Sequence, residues 1–287
     1  MELTTDFSEL LSSLQPGEDD VAAAKAAHEK VRERLRTDDE SKDAHKDTFL
    51  SGSYARRTAI NDINDVDVIC IFDINHQKTQ PEVVLAWVEG ILSKYYKETK
   101  RQGRSVGANA AKNVWLDIVP ASPLSTDDGP LWIPDREARE WVQTHPKGQI
   151  EAATNKNKVT DGYFVQVVKL MKFWRDRLPT KSCQLKSYIL EALIHSTIGR
   201  PSSHAEAVVN VLEGVGRTYG SHEYTPFITD PGYPSVDVAK HWKSEDFKDF
   251  MAQVKASAAT ARSAFESTSE ATSRKLWRQL FGSKFGG

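Results

Sequence analysis

Three aspartates and a glycine–serine pair are the residues of this sequence best suited to chemistry. Asp65 and Asp67 lie one residue apart at the head of the apolar run Val68–Phe72. Side chains alternate faces along a strand, so both carboxylates point the same way, followed on that face by Ile69 and Ile71. Val66, Val68, Cys70 and Phe72 line the other face, and a run apolar on both faces belongs inside a sheet. Two unpaired carboxylates at its mouth repel each other and resist desolvation, a conflict that an oxygen-bound hard divalent cation relieves. Asp117 is the sole charge in a second apolar run, Val114–Val119. If the two runs pair side by side, all three carboxylates share one edge. Such a set can hold two Mg²⁺, or Mn²⁺, about 3.5–4 Å apart, the spacing of in-line phosphoryl or nucleotidyl displacement. Gly52 and Ser53 come before this pair. A glycine without Cβ lets backbone N–H groups approach a phosphate, and the serine adds a hydroxyl donor. Asp62, close by, reads as a turn former rather than a ligand.

The elements that must position these groups follow from periodicity. Residues Asp19 to Arg36 read as an amphipathic brace helix, with Val21, Ala24, Ala27, Val31 and Leu35 near helical spacing. Thr48–Leu50 is a short strand leading into Gly52, and a helix should open just after, with Ser53 near its cap. Pro81 suits the first turn of a helix that carries Val84, Trp87, Val88, Ile91, Leu92 and Tyr95 on one side. Gly103–Ala111 reads as a glycine-containing turn region with room for a short strand. The Asp117 strand should stop at Pro120, Pro123–Pro134 should be a loop, and a helical, more polar section should begin at Pro134. From about Gln149 the pattern is helical almost throughout, broken by an irregular stretch over Tyr219–Val238. The expected division is therefore an α/β core over 1–145, including the brace helix, and a helical lobe over 146–287.

Composition narrows the function classes. A formal charge of −2 over 287 residues argues against a broad polyanion-binding surface. Cys70 and Cys183 form neither a zinc pattern nor a disulfide framework, which suits a reducing cytoplasm. No apolar run is long enough to span a bilayer and the N-terminus carries no signal-peptide pattern, so a soluble cytoplasmic protein without a membrane partner is expected.

The segment Gly52-Ser-Tyr-Ala-Arg-Arg-Thr-Ala-Ile60, then Asp65-Val-Asp-Val68, with Leu116-Asp-Ile-Val-Pro-Ala121, resembles the polymerase-β-type nucleotidyltransferase superfamily. Within it the chain is most similar to the cGAS/DncV-like nucleotidyltransferases (CD-NTases) of bacterial cyclic-oligonucleotide (CBASS) anti-phage signalling. Ile133-Pro-Asp-Arg136, Trp141 and Thr144–Gly148 resemble that family's stretch between its lobes. Val168–Trp174, Lys186–Glu191 and Trp277–Gly282 resemble its helical-lobe and C-terminal motifs.

The resemblance implies a bilobed α/β fold: a polymerase-β-like core with a mixed sheet, an all-helical, oligoadenylate-synthase-like second lobe, and the active site in the cleft between. It implies Asp65, Asp67 and Asp117 as metal ligands and Gly52 and Ser53 as triphosphate contacts. Lys172 and Ser187 would meet the outer phosphates, and Tyr188 would stack on a base. Lys169 shares a helix face with Lys172, and the pair reads either as phosphate contacts or as a solvated charged face. Tyr188 reads equally as a core residue. Arg56 is either a phosphate contact or a surface charge. The implied activity is Mg²⁺-dependent joining of nucleoside triphosphates, ATP among them, into a cyclic di- or trinucleotide messenger that activates a separately encoded effector. The open alternatives are a linear or macromolecular nucleotidyltransferase and a catalytically silent nucleotide-binding relative. The intact triad counts against the last. Without a Cys/His insertion or a basic stripe, activation by double-stranded DNA is not expected. The C-terminal Gly286-Gly287 is either an end suited to conjugation with a partner protein or a plain tail.

Overall fold

The computed structural model describes residues 1–61, 65–111, 114–124 and 129–287; Asp62 lies outside them. The chain forms two compact units, residues 16–151 and residues 1–15 with 152–287. Two features differ from the expected division at 145/146. The boundary falls inside a helix, and the first fifteen residues join the helical unit.

The chain opens with α1 (Thr4–Ser13), an amphipathic helix the sequence reading did not anticipate. In the α/β unit, α2 (Glu18–Thr37) buries Ala24, Ala27, Val31 and Leu35, whereas Val21 is left exposed. There follow β1 (His45–Leu50), the one-turn α3 (Gly52–Ala55), β2 (Asp65–Phe72) and α4 (Pro81–Ser93). Next come β3 (Thr99–Arg101), β4 (Val106–Ala111), β5 (Val114–Pro123), β6 (Leu131–Asp135) and β7 (Glu140–Thr144). The sheet runs β1-β2-β5-β4-β3, with β6 paired to β5 and β7 to β6. Among the described residues only β2 and β5 run parallel; the other pairs are antiparallel, so the sheet is mixed.

Each face of β2 feeds a separate core. Val66, Val68, Cys70 and Phe72 pack with α2, α4 and the inward side of β4 and β5. Ile69 and Ile71 pack with Ala121, Leu131 and Ile133. Burial in the first of these cores pushes the Cys70 thiol up to about 12, so it stays protonated.

Two expectations fail here for identifiable reasons. Pro120 does not end β5. It pairs with Cys70 in register and falls between the stretch bonded to β4, which ends at Ile118, and the stretch bonded to β6, which begins at Ser122. At that position one flank makes no ladder call on its missing N–H. The region after Pro134 is a hairpin rather than a helical section, with Pro134 opposite Trp141. Leu131 and Ile133 alternate inward onto the Ile69–Ile71 core, a two-residue period that overrides the proline signals. The short strand allowed for in Gly103–Ala111 is present as β4, after the turn.

The helical unit continues with α5 (Pro146–Val159), α6 (Tyr163–Arg175), α7 (Ser187–Thr197), α8 (His204–Tyr219), α9 (Ser244–Glu266) and α10 (Glu270–Phe281). A small hairpin, β8 (Thr229–Asp230) with β9 (Tyr233–Asp237), lies within the stretch expected to be irregular. Phe7 of α1 is fully buried, with ring centroids 5.0 Å from Trp277, 5.9 Å from Phe281 and 4.9 Å from Phe285. Asp6 adds an ion pair to Arg274 at 2.8 Å. This aromatic seat draws α1 into the helical unit. It also anchors the C-terminal segment: Arg278 donates to the carbonyls of Phe285 and Gly286, and Gly287 is exposed.

Candidate active site

The site is assembled by the register of two parallel strands. Asp67 of β2 is the direct partner of Asp117 of β5, and Asp65 that of Trp115. Adjacent strands lie about 4.8 Å apart, so three carboxylates project from one face at one end of the sheet. Beyond them on that face the apolar residues take over at Ile69, Ile71 and Ala121. Asp65 is exposed, while Asp67 and Asp117 are half-buried.

The crowding has an electrostatic signature. The Asp117 carboxyl is pushed up to about 6, first by burial, then by the negative charges of Asp67 and Asp65, with a hydrogen bond from Gln102 opposing them. Among the described residues no group of three or more Asp, Glu, His or Cys side chains is already placed to hold a metal ion. The donor set nevertheless fits a hard divalent cation, being all oxygen, triply acidic and partly desolvated.

Gly52 is fixed by the same cluster. The β1 strand hands over at Ser51, whose N–H donates to the Asp67 carbonyl at 2.8 Å. Gly52 then takes a φ of +64°, and a Cβ there would lie 1.7 Å from Asp67 Oδ2. Glycine is therefore required for its conformation and for the space that the Asp67 carboxylate occupies. Ser53 lies inside the one-turn helix rather than at its cap; the capping position is Ser51, which makes no side-chain capping bond. The carbonyl of Ser53 accepts from the Thr58 N–H at 2.9 Å, which closes the loop. Arg56 is buried, not a surface charge.

The other expected contacts lie in the helical unit. Lys169 and Lys172 are both buried, so the reading of a solvated charged face does not hold. Lys172 Nζ donates to Glu191 Oε1 at 2.7 Å, with side-chain exposures of 4 % and 3 %. Lys169 donates to the side chain of Gln15. Burial, and then the charge of Lys172, lowers the Lys169 pKa. Ser187 opens α7, and its hydroxyl accepts from Arg175 at 2.9 Å. The Tyr188 hydroxyl donates to Asp230 at 2.7 Å, and that carboxylate is itself held by the N–H groups of Gly232 and Tyr233.

Sequence reasoning missed Gln102, Gly107, Arg175 and Glu191. Gly107, opposite Asp117 on β4, had a usable signal, since a glycine within a strand marks a close approach. Glu191 was quoted only as part of a motif, and nothing in sequence marks it as the buried partner of Lys172.

A mixed sheet that presents three carboxylates beside a Gly-Ser turn, followed by a helical unit, defines a nucleotidyltransferase. The chain belongs to the Second Messenger Oligonucleotide or Dinucleotide Synthetase (SMODS) family, whose model matches residues 1–157. It is 32 % identical to a cyclic AMP-AMP-AMP synthase of Acinetobacter, over 97 % of this chain and 84 % of that protein. It is 27 % identical to a cyclic AMP-AMP-GMP synthase of Enterobacter hormaechei, over 99 % of this chain and 92 % of the relative. Among solved structures, CdnC of E. coli MS115-1 with ATP aligns with a TM-score of 0.81 at 18 % identity, covering 99 % of each chain. CdnG of Bradyrhizobium diazoefficiens with GTP aligns at 0.79 and 15 % identity, covering 99 % of this chain and 96 % of that one. These likenesses establish the CD-NTase fold. Among the described residues no helix is long and apolar enough to cross a membrane.

Proposed function

We propose that this nucleotidyltransferase joins nucleoside triphosphates, ATP among them, into a cyclic di- or trinucleotide messenger for anti-phage signalling. The observation that carries the reading is the register pairing of Asp67 with Asp117, with Gly52 closed onto the Asp67 carboxylate. The adenine preference follows the named products of the two relatives, which both contain AMP.

In this reading Asp65, Asp67 and Asp117 hold two Mg²⁺. When bound, the ions screen the triphosphate charge and make the attacking hydroxyl more acidic. Gly52 and Ser53 border the triphosphate, the glycine by leaving its approach open and the serine by donating its hydroxyl. Arg56 adds a positive charge behind that turn. Lys172, Lys169 and Ser187 are assigned to the outer phosphates and Tyr188 to base stacking, with its hydroxyl tethered to Asp230. The messenger would act on a separately encoded effector. Gly287, exposed beyond the anchored Phe285, is the position assigned to a conjugating or regulatory partner.

The test is incubation with all four labelled triphosphates and Mg²⁺, followed by phosphatase. A phosphatase-resistant labelled product is expected, and it should be absent with Asp65→Asn/Asp67→Asn. Products that are all phosphatase-sensitive would replace the cyclic synthase with a linear nucleotidyltransferase.

A further inference from the structure

Asp117 Oδ1 accepts a hydrogen bond from the side-chain amide of Gln102 at 2.8 Å. Gln102 lies at the start of the turn between β3 and β4, and that turn is pinned from several directions. The Gln102 N–H donates to the Ser105 carbonyl at 2.9 Å, and the Gly103 carbonyl accepts from the Arg136 N–H at 2.8 Å. Arg104 pairs with the buried carboxylate of Asp135 at 2.8 Å, which ties the turn to the β6–β7 hairpin. Asp135 in turn accepts from the Ala138 N–H at 3.0 Å. The route from Gln102 to Asp117 passes over Gly107. A Cβ on Gly107 would lie 3.0 Å from the Gln102 amide nitrogen and 3.4 Å from Asp117 Oδ1. The β3–β4 turn, β4 and the β6–β7 hairpin thus cooperate to bring one neutral donor to one oxygen of one carboxylate.

We propose that Gln102 is a positioning residue for nucleotidyl transfer: it holds Asp117 Oδ1 so that Oδ2 is presented to the divalent cation. This rests on the reading of Asp117 as a metal ligand. A carboxylate rotates about a broad, two-fold terminal torsion, and Asp117 faces Asp67 directly across the strand pair. Without a fixed donor, repulsion would turn it away from the orientation a cation requires. A neutral amide fixes it without the drawback of Lys or Arg, whose charge would compete with the metal. Partners of this kind, one bond removed from a ligand, typically change metal affinity 10–100-fold when removed.

The test uses Mn²⁺ as the probe. Free Mn²⁺ is followed by electron paramagnetic resonance as it is titrated into the full chain without nucleotide, and turnover is measured separately against Mg²⁺. Gln102 is exposed, so Gln102→Leu should keep its melting temperature while its Mn²⁺ affinity falls about 10-fold. Turnover should fall at low Mg²⁺ and recover at high Mg²⁺, with KM for the triphosphate unchanged. Arg104→Met, which frees the turn without touching Asp117, should shift Mn²⁺ affinity in the same direction by less. Wild-type Mn²⁺ affinity in Gln102→Leu overturns the inference, as does lost turnover that high Mg²⁺ does not restore. Wild-type Mn²⁺ affinity in Asp117→Asn overturns the ligand reading beneath it, which distinguishes the two failures.

Discussion

Asp67 and Asp117 face each other across the parallel strand pair β2–β5, and the carboxyl of Asp117 is pushed up to about 6 as a result of burial and that neighbour. The arrangement stores repulsion that a bound cation discharges. An acid whose folded pKa is raised costs stability once it ionises: nothing below the unfolded value near 4, and the full amount above about 6. Metal-free Asp117→Asn should therefore melt higher than wild type at pH 8, and the difference should shrink to nothing as pH falls from 6 to 4. Melting curves in a chelator across that range check this; an equal or lower melting temperature at pH 8 would contradict it.

The same shift predicts an acidic limb in turnover. At limiting Mg²⁺ the rate should fall as pH drops through about 6 and Asp117 takes up a proton. Raising Mg²⁺ should move the limb to lower pH, because cation and proton compete for one carboxylate. Rate profiles at two Mg²⁺ concentrations supply the measurement, and a limb that does not move would exclude Asp117 as its source.

Gly52→Ala should inactivate without unfolding. Its Cβ would sit 1.7 Å from Asp67 Oδ2, at a φ of +64° that alanine adopts only with strain. Either the turn or the carboxylate must move by an ångström or more, which at a reacting centre costs about 100-fold in rate. Circular dichroism and turnover on the same preparation decide it, and a variant with near-wild-type rate would show that the turn is not part of the site.

Lys172 and Glu191 form a buried ion pair whose side chains are 4 % and 3 % exposed. Removing one partner should destabilise the helical unit by about 3–5 kcal/mol, because the other charge is left buried alone. Lys172→Met with Glu191→Leu should recover most of that loss. If Lys172 serves the triphosphate, the folded double variant should still bind nucleotide poorly. Denaturant unfolding and KM together separate the structural role from the binding one.

His195 predicts acid sensitivity in the helical unit. Burial, then the charge of Lys156, lowers its pKa to about 4, although the Ala152 carbonyl accepts from the ring. A base with a depressed folded pKa gives its full stability above the unfolded value near 6.5 and loses it as pH falls toward 4. His195→Gln should flatten that dependence, measured as melting temperature from pH 7 to pH 4. An unchanged slope would place the acid sensitivity elsewhere.

The acidic edge was readable because it depends on local pattern. Asp65 and Asp67 alternate with valines, and Asp117 is the single charge in its strand. Their pairing in register needed only that two apolar strands, joined through α4, β3 and β4, lie side by side and parallel. What stayed hidden depends on distant partners. Nothing near Phe7 announces that its seat is built from Trp277, Phe281 and Phe285. Lys172 has the spacing of a surface lysine, and only the fold supplies the buried carboxylate that neutralises it. Pro120 and Pro134 were given too much weight, because a proline signal is local whereas the ladder position that tolerates it is set by neighbouring strands. Gln102 had no signal, being an ordinary polar residue beside a glycine.

The seating of Phe7 also sets an order of events during synthesis. Its aromatic partners Trp277 and Phe285 leave the ribosome some 270 residues after it. The α/β unit, complete at residue 151, can fold while translation continues. Helix α1 must wait without this seat until Trp277, Phe281 and Phe285 emerge, so a nascent chain stalled before Trp277 would carry a finished acidic edge and an α1 whose Phe7 is uncovered.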